Sequence, residues 1–333
     1  MKLSVAIPTY NGAKYIREAL DSIIFQLDDI DEGIEIVISD NASTDQTPQI
    51  IKEYQNKYFF IKYFRNDKNL GADRNFDLAI RRSKGEYVWL FGDDDKLESG
   101  AIKKVLEVLK KYPKVGFIFV NCSSYNEDFS ICTKERILEL MKDMYCNSAD
   151  EFYINTKIVS MVVSSNIVKR NFWNYINKNK FIGTNWIHFC VVTSYLNGCS
   201  AYCIANPYVI LRQGTAVRWV DNGRILIYGN KLSSIIKSLV KMGYERSTVK
   251  GMLDSIKINL WKTIIGAKMA DLNLSFSLLK ITIKNFGNYP SFWLIDFPLL
   301  LLPNIFYKIL HRFMPQVRRV KQIFSKISNK SII

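Results

Sequence analysis

The first 121 residues alternate between short apolar runs and longer segments with a helical spacing of apolar residues. The apolar runs are rich in β-branched and aromatic residues, which predicts strands over 3–7, 34–38, 59–64, 87–91 and 115–120. Apolar residues at spacings of three and four predict helices over 13–26, 45–57, 73–83 and 99–112. This alternation predicts right-handed βαβ units, and therefore an α/β fold with a mostly parallel sheet flanked by helices.

The pattern changes in the second part of the chain. Residues 122–157 predict a connecting segment, and beyond it the sequence predicts a buried strand over 158–168, a helix over 184–196 and a strand over 201–211. From residue 223 onward the pattern is helical and basic. We therefore expect a first domain over 1–220, with halves 1–121 and 122–220, and a helical basic C-terminal region over 221–333.

The formal net charge of +15 is unevenly distributed. Residues 1–120 contain 18 Lys and Arg against 19 Asp and Glu, whereas residues 121–333 contain 28 against 12. A nucleic-acid-binding module, one alternative suggested by this charge, would carry basic residues throughout its folded core. The separation instead indicates a neutral module followed by a basic module that docks on a membrane, with no nucleic acid as partner.

Polar side chains follow four of the predicted strands. They are the segments Pro8-Thr9-Tyr10-Asn11-Gly12, Ser39 to Asp45, Arg65-Asn66-Asp67 and Gly92-Asp93-Asp94-Asp95. In open parallel sheets the ligand crevice lies beyond the carboxyl ends of the strands. We therefore expect all four segments to open on the same edge of the sheet.

Three adjacent carboxylates, Asp93, Asp94 and Asp95, directly follow an apolar strand. Their mutual repulsion and their hard oxygen ligands predict a site for Mg²⁺ or Mn²⁺, which takes one or two carboxylates and completes its shell with water and substrate phosphate. The alternative is an acidic turn that caps the helix beginning near Ser99, for which one aspartate would be enough.

Asp40 stands at the very end of the second predicted strand. Its carboxylate is suited to accept a hydrogen bond from a pyrimidine base. The surrounding segment Ser39 to Asp45 is also typical of a turn with a helix N-cap, which accounts for Thr44 or Asp45. That alternative leaves Asp40 unexplained, so we predict a binding role for Asp40.

Four motifs in order over about 95 residues resemble the signature of family 2 glycosyltransferases with the GT-A fold. They are Val5 to Asn11, Ile36 to Asp45, Asn69-Leu70-Gly71-Ala72-Asp73-Arg74-Asn75 and Gly85 to Asp95. The last two look closest to the abequosyltransferase-like branch, whose enzymes build bacterial surface polysaccharides. Where many relatives have Asp, this chain has Gly92, which leaves open which two of the three aspartates face the metal.

The resemblance implies roles for residues that match the family motifs. Pro8, Tyr10, Asn11 and Asp40 fall where the family holds base and ribose, with Thr9 and Asn41 beside them, and Asp73 and Arg74 line the nucleotide side. The aspartate cluster would hold Mn²⁺ or Mg²⁺ on the donor diphosphate, with Asp95 as first choice for the ligand, Asp93 in support and Asp94 near the nucleotide sugar.

The resemblance also implies an inverting reaction, which needs a general base to take the proton of the acceptor hydroxyl. In the wider family the base is often an Asp in a Glu-Asp pair, and the matching stretch Phe181 to His188 contains no such pair. His188 is the candidate base, with a buried helix histidine as the alternative and Asp150 and Glu151 as weaker candidates. Arg212 could steady the diphosphate, or it could be an ordinary surface arginine.

The last part of the chain suggests membrane association without a span. Residues 291–307 are nearly all apolar but are interrupted by Asp296, Pro298 and Pro303, and the stretch is shorter than the ~20 residues that a span needs. Residues 308–333 then carry seven Lys and Arg and no acidic residue. This is the pattern of a basic amphipathic helix on an anionic membrane, the alternative being a helix packed on the first domain.

The resemblance, together with these features, implies a hexosyl or deoxyhexosyl transferase with a nucleotide-diphosphate sugar as donor and a polyprenyl-diphosphate-linked saccharide as acceptor, in O-antigen or capsule synthesis. Because the sequence has no apolar signal region after Met1, we expect a cytoplasmic protein, peripheral on the inner face of the bacterial cell membrane. A nucleotidyltransferase or pyrophosphorylase is the other alternative, but it would carry a Gly-rich phosphate loop after the first strand.

Overall fold

The computed structural model describes residues 2–27, 30, 33–214 and 225–309. A ten-stranded sheet is formed by residues between Leu3 and Arg212. Its strands within this described part are β1 (Leu3–Thr9), β2 (Ile34–Asp40), β3 (Ile61–Arg65), β4 (Tyr87–Leu90), β5 (Lys96–Leu97), β6 (Phe117–Tyr125), β7 (Cys132–Lys134), β8 (Met144–Cys146), β9 (Asn166–Lys169) and β10 (Ala201–Arg212).

The strand order is β3-β2-β1-β4-β9-β6-β10-β5, with β7 paired to β6 and β8 to β10. The long strands β1, β2, β3, β4, β6 and β10 run in one direction. Strand β9 and the short strands β5, β7 and β8 run the opposite way. The expected α/β fold with a mostly parallel sheet is confirmed, and its strand order reverses at β1, where β2 and β4 pair on opposite sides.

Helices connect the strands and continue beyond them. Those of the described residues are α1 (Ile16–Ile24), α2 (Thr47–Lys57), α3 (Ala72–Arg82), α4 (Ala101–Lys111), α5 (Ala149–Thr156), α6 (Arg170–Tyr175), α7 (Ile187–Leu196), α8 (Ile225–Ser238), α9 (Arg246–Ile258), α10 (Leu260–Met269), α11 (Phe276–Phe286) and α12 (Phe297–Leu301). None of the described helices is both long enough and apolar enough to cross a bilayer.

The burial pattern of the first 121 residues agrees with the hydrophobic pattern of their sequence. All seven residues of β1 and of β2 are buried, as expected for central strands of a parallel sheet that are covered on both faces. Helices α1 and α3 bury only one stripe each. The five strands and four helices predicted in this part are all present, with their ends shifted by a few residues.

The middle of the chain differs from its predicted pattern. The strand predicted over 158–168 consists of two 3-10 turns, and only its end forms part of β9. The helix predicted from residue 184 begins at Ile187, because Gly183 and Asn185 have φ values of 82° and 62° and keep the preceding loop out of the helical conformation.

The chain divides into two compact units. The first comprises residues 1–216 and 235–253, and the second comprises residues 217–234 and 254–333. In the first unit, Tyr244 donates its hydroxyl hydrogen bond to the carbonyl of Thr193, so residues beyond the boundary expected near 220 pack with this unit.

The second unit has an apolar core of its own. Leu260, Ile264, Phe286 and Phe292 are buried together in it. A buried ion pair joins Lys257 Nζ to Asp296 at 2.6 Å. Of the basic amphipathic helix predicted over 308–333, residues 310–333 lie outside the described residues, and Lys308 forms an exposed ion pair with Asp271 at 2.6 Å.

Candidate active site

The point where the strand order reverses brings Thr9 and Asp93 together. Thr9 is the last residue of β1, and its hydroxyl donates a 2.5 Å hydrogen bond to Asp93 Oδ2 in the loop after β4. Both side chains are buried. A Cβ at Gly12 would collide with this hydroxyl and this carboxylate, so the close approach requires glycine there. Ligands of open α/β sheets bind at such a reversal.

Asp95 is a buried carboxylate of the cluster that is bonded to two distant segments of the chain. Its Oδ2 accepts a 2.5 Å hydrogen bond from the Ser164 hydroxyl, and its Oδ1 accepts the backbone N–H of Arg212 at 3.0 Å. Burial, and then the neighbouring charge of Asp94, raise the pKa of Asp95 to about 7. Burial and like charges disfavour the ionised form, so a bound cation would stabilise the carboxylate here.

Arg212 is not an ordinary surface arginine, because its side chain is only 3% exposed. Nε donates to the backbone carbonyl of Asp94 at 2.9 Å, and Nη2 contacts Glu18 Oε2 at 3.1 Å. The guanidinium also lies over the rings of Tyr15 and Phe129, at 4.4 and 3.9 Å from their centroids. Arg212 therefore holds the aspartate loop in place from two sides, through its backbone and its side chain.

The aspartate loop is compatible with a divalent cation bound jointly with substrate. Asp93 and Asp95 are both carboxylates at one strand end, and the missing side chain of Gly92 leaves room, since a Cβ there would lie 3.0 Å from Asp95 Oδ2. Among the described residues, no three His, Cys, Asp or Glu side chains are grouped as a metal site. Asp93 and Asp95 would supply the one or two carboxylates that Mg²⁺ ordinarily takes from a protein when substrate phosphate and water complete its shell.

Asp40 is completely buried at the end of β2. Its Oδ1 accepts the backbone N–H of Ser43 at 2.8 Å, and its Oδ2 accepts the hydroxyl of Tyr63 at 2.7 Å, with Arg65 Nε at 3.6 Å. The carboxylate thus holds the turn that follows β2. The Oδ1 atom of Asp45 accepts the backbone N–H and the hydroxyl of Thr47 at the start of α2, whose N-cap position is Gln46.

The segment after β1 is shaped by its contacts with this turn. Pro8 is buried in β1, whereas the ring of Tyr10 is 42% exposed beside it. Asn11 has a φ of 52°, and its side-chain oxygen accepts the backbone N–H of Thr44 at 2.8 Å. An exposed aromatic ring at the edge of the crevice is suited to contact a nucleoside.

A network of side-chain amides, buried at Asn41 and Asn75, ties the strand ends to the start of α3. Asn41 Nδ2 donates to Asn69 Oδ1 at 2.8 Å, and Asn41 Oδ1 accepts the backbone N–H of Leu70 at 2.9 Å. Asn75 Nδ2 donates to the carbonyl of Ser39 at 2.8 Å. The predicted binding residue Asn41 therefore positions the loop before α3.

Asp73 links α3 to the loop before α7. Its Oδ2 accepts the backbone N–H of Asn185 at 2.9 Å, and its Oδ1 accepts that of Ile187 at 3.2 Å. The N-cap residue Trp186 makes no side-chain capping bond, so Asp73 supplies the cap from another element. Arg74, the next residue, is exposed.

His188 lies in the first turn of α7 and is 2% exposed. Its Nε2 is 2.8 Å from the carbonyl of Met161, which assigns the proton to Nε2, while Nδ1 is buried without a hydrogen-bond partner among the described residues. Burial lowers the pKa of His188. Nδ1 is thus the ring atom left to accept a proton, and the base role stays a prediction. The weaker candidates Asp150 and Glu151 lie at the start of α5.

Sequence reasoning missed Ser164, Tyr63 and Glu18. Ser164 was placed in a predicted strand, yet its hydroxyl contacts Asp95 across 69 positions of sequence. Tyr63, which contacts Asp40, and Glu18, which contacts Arg212, are also distant from these partners along the chain. No local pattern around these residues marks them, because the fold alone brings them to the site.

Comparison with known proteins agrees with this geometry. The model of "Glycosyl transferase family 2" matches residues 4–176, which is more than half of the chain. The abequosyltransferase RfbV of Salmonella typhimurium is 34% identical over 237 residues, which are 64% of this chain and 67% of RfbV. A GalNAc(5)-diNAcBac-PP-undecaprenol beta-1,3-glucosyltransferase of Campylobacter jejuni is 34% identical over 36% of this chain and 38% of its own length.

Two solved structures share the fold. The S. aureus protein TarS in complex with UDP-GlcNAc has a TM-score of 0.62, with 18% identity over 87% of this chain and 81% of that chain. The mannosyltransferase PcManGT from Pyrobaculum calidifontis, in complex with GDP-Man and Mn²⁺, has a TM-score of 0.50, with 17% identity over 87% and 80%. The expected GT-A fold is therefore confirmed, and the chain belongs to glycosyl transferase family 2 and is a glycosyltransferase.

Proposed function

We propose that this glycosyltransferase moves a sugar from a nucleotide-diphosphate donor to a lipid-linked saccharide, in the synthesis of a bacterial surface polysaccharide of the O-antigen or capsule type. The observation that carries the proposal is the pair of buried carboxylates, Asp93 and Asp95, at the reversal of strand order. The abequosyltransferase and the undecaprenol-dependent glucosyltransferase among the relatives support the sugar chemistry and the acceptor class.

Each part of the donor has a matching part of the site. Tyr10 and the turn held by Asp40 would bind the nucleoside, while Asp93 and Asp95 would hold Mn²⁺ or Mg²⁺ on the diphosphate. TarS binds UDP-GlcNAc and PcManGT binds GDP-Man with Mn²⁺, which supports a nucleotide sugar and a metal for this chain. When bound, the metal supplies a Lewis acid for the charge that develops on the departing diphosphate.

The reaction would be an inverting transfer. The bond between the anomeric carbon and the diphosphate oxygen breaks, and its electron pair leaves with the diphosphate. The acceptor hydroxyl oxygen forms the new glycosidic bond from the opposite face, and its proton passes to a base. His188 Nδ1 is our proposed base. Arg212 keeps the aspartate loop in position through its bonds to the backbone of Asp94 and to Asp95.

Location at the inner face of the cell membrane is supported by the surface of the second unit. Within residues 293–309, seven large apolar side chains are exposed: Trp293, Leu294, Ile295, Leu301, Ile305, Phe306 and Ile309. From residue 223 to the end, the sequence carries 18 Lys and Arg against 4 Asp and Glu. An exposed apolar surface in a basic region is suited to insert into a leaflet with anionic headgroups.

The test of the donor half is a screen of nucleotide sugars for binding and hydrolysis, with and without Mn²⁺. We expect one donor to be hydrolysed in the presence of Mn²⁺ and this activity to be lost in excess chelator and in Asp95→Asn. Glu107→Gln, which removes an exposed carboxylate on α4, is the matched control and should keep full activity. Undiminished hydrolysis by Asp95→Asn would contradict the proposed metal site.

The test of the acceptor half uses lipid-linked saccharides extracted from cells that carry the gene. We expect transfer of the radiolabelled sugar into the lipid phase. Label that appears only as free sugar would contradict the proposed acceptor class.

A further inference from the structure

A surface cleft of about 490 Å³ lies in the first unit between α3 and the segment 174–182. Its lining includes Arg74, Asp77, Arg81, Tyr175, Lys178 and Asn179. Neither the metal site nor the turn held by Asp40 contributes to this lining.

The floor of the cleft is held rigidly by Asp77. Its Oδ1 accepts the indole N–H of Trp173 at 2.9 Å, and its Oδ2 pairs with Arg81 Nε at 2.9 Å. Lys178, 5% exposed, lies 3.7 Å from Asp77 and donates to the carbonyls of Trp173 and Ile176 at 2.8 and 2.9 Å. These bonds fix segment 173–178 against α3, so the cleft is preformed.

The chemistry of the cleft suits a phosphorylated saccharide. The lining contains three cationic side chains, Arg74, Arg81 and Lys178, and one carboxylate, Asp77. The charge of Asp77 is already neutralised by its ion pairs with Arg81 and Lys178. Arg74 is exposed and has no ion-pair partner among the described residues, and guanidinium groups bind phosphate oxygens in a bidentate way. Tyr175, 89% exposed, presents a ring face, and Asn174, Asn177 and Asn179 add amides that pair with sugar hydroxyls.

The position of the cleft relates it to the acceptor side. Its lining runs from Leu70, which is bonded to Asn41, to Ile182, which directly precedes the loop held by Asp73. That loop matches the stretch where related enzymes carry their base. The cleft therefore adjoins this loop through Ile182, on the side where a long acceptor bound at the loop could make further contacts.

We infer that this cleft binds the saccharide-diphosphate portion of the acceptor, with Arg74 contacting phosphate and Tyr175 stacking on a sugar. The inference rests on the proposed function, since it assigns a binding surface to the lipid-linked acceptor proposed above.

The experiment compares acceptor kinetics of Tyr175→Ala and Arg74→Gln with those of the wild type. The probes are the extracted lipid-linked saccharides and the same saccharides released by mild acid, which lack the diphosphate. We expect Tyr175→Ala to raise the KM for both acceptors about tenfold, and Arg74→Gln to raise it only for the diphosphate-linked form. Phe59→Ala, which removes another exposed aromatic ring of the first unit, should leave both values unchanged.

Transfer, the acceptor KM and the donor KM together distinguish a failure of the proposed function from a failure of the cleft assignment. Wild-type protein that hydrolyses donor but transfers to neither acceptor would overturn the proposed function. Normal transfer with unchanged acceptor KM in both variants would overturn the cleft assignment alone. A raised donor KM in Arg74→Gln, with acceptor KM unchanged, would assign Arg74 to the nucleotide instead.

Discussion

Replacement of Asp73 by alanine tests how the loop before α7 is held. The carboxylate is buried and accepts two backbone N–H groups, from Asn185 and Ile187, at 2.9 and 3.2 Å. Loss of a helix N-cap costs about 0.5–2 kcal/mol, and leaving a buried donor without a partner costs about 1–3 kcal/mol. We therefore expect Asp73→Ala to lower the free energy of unfolding by roughly 3 kcal/mol.

The assay is thermal unfolding together with donor and acceptor kinetics. A loss of roughly 3 kcal/mol corresponds to a fall in Tm of about 6–12 °C for a unit of this size. Asp73→Asn keeps one acceptor oxygen, so its free energy of unfolding should fall by about half as much as that of Asp73→Ala. Asp67→Ala, which removes an exposed carboxylate, is the matched control and should change Tm by less than about 1 °C.

The kinetic readout distinguishes a positioning role from nucleotide binding. If Asp73 positions the acceptor-side loop, transfer falls in Asp73→Ala at temperatures where the variant is folded, while the donor dissociation constant is unchanged. An unchanged Tm would refute the capping reasoning. A raised donor dissociation constant with normal transfer at saturating donor would place Asp73 at the nucleotide, as the resemblance implied.

The remaining predictions concern Asp95, Asp40, His188 and the membrane. The pKa of Asp95 is about 7, so Mn²⁺ must displace a proton from this carboxyl group at lower pH. Mn²⁺ affinity measured by calorimetry should therefore rise about tenfold per pH unit below pH 7 and level off above it. An affinity that does not change with pH would show that Asp95 is not a ligand. Asp40→Ala should raise the donor KM more than it lowers kcat, since the turn that Asp40 holds would contact the nucleoside equally in ground and transition states; steady-state kinetics with a large fall in kcat would contradict this. His188→Ala should abolish transfer while donor binding persists, whereas parallel losses of binding and Tm would assign the ring to packing. Truncation after residue 288 should release the protein from anionic vesicles in a flotation assay, and full-length protein that never binds them would disprove the membrane contact.

The sequence by itself determined the architecture of the first 121 residues. Period-two and helical spacings are local properties, so the βαβ units and the polar segments at the strand ends could be predicted without knowledge of tertiary contacts. The same locality explains why Thr9, Asp40 and Asp93 could be predicted, since each stands at the end of a strand or within three residues of it. Connection rules for parallel strands then predict that such ends share one edge.

Periodicity was a weaker guide where helices and turns are apolar on all sides. Helix α7 buries eight of its ten residues, so the sequence has no polar stripe that shows which way His188 faces. Residues 158–168 are mostly apolar and β-branched like a strand, yet Val159–Met161 and Val163–Ser165 form 3-10 turns, and Ser164 there contacts Asp95. Short apolar runs of this kind do not distinguish a strand from other buried segments.

Tertiary structure alone decided the partners of the site residues. Asp95 meets Ser164 and Arg212, which are 69 and 117 positions away, and Asp73 meets Asn185 across 112. A sequence pattern records which residue types repeat along a strand or helix, but it carries no information on which distant backbone groups need a hydrogen-bond partner when they are buried. That requirement arises only when the strands and helices of the first unit pack and remove water from the strand ends. It is what turns Asp73 into a helix cap and Arg212 into the support of the aspartate loop.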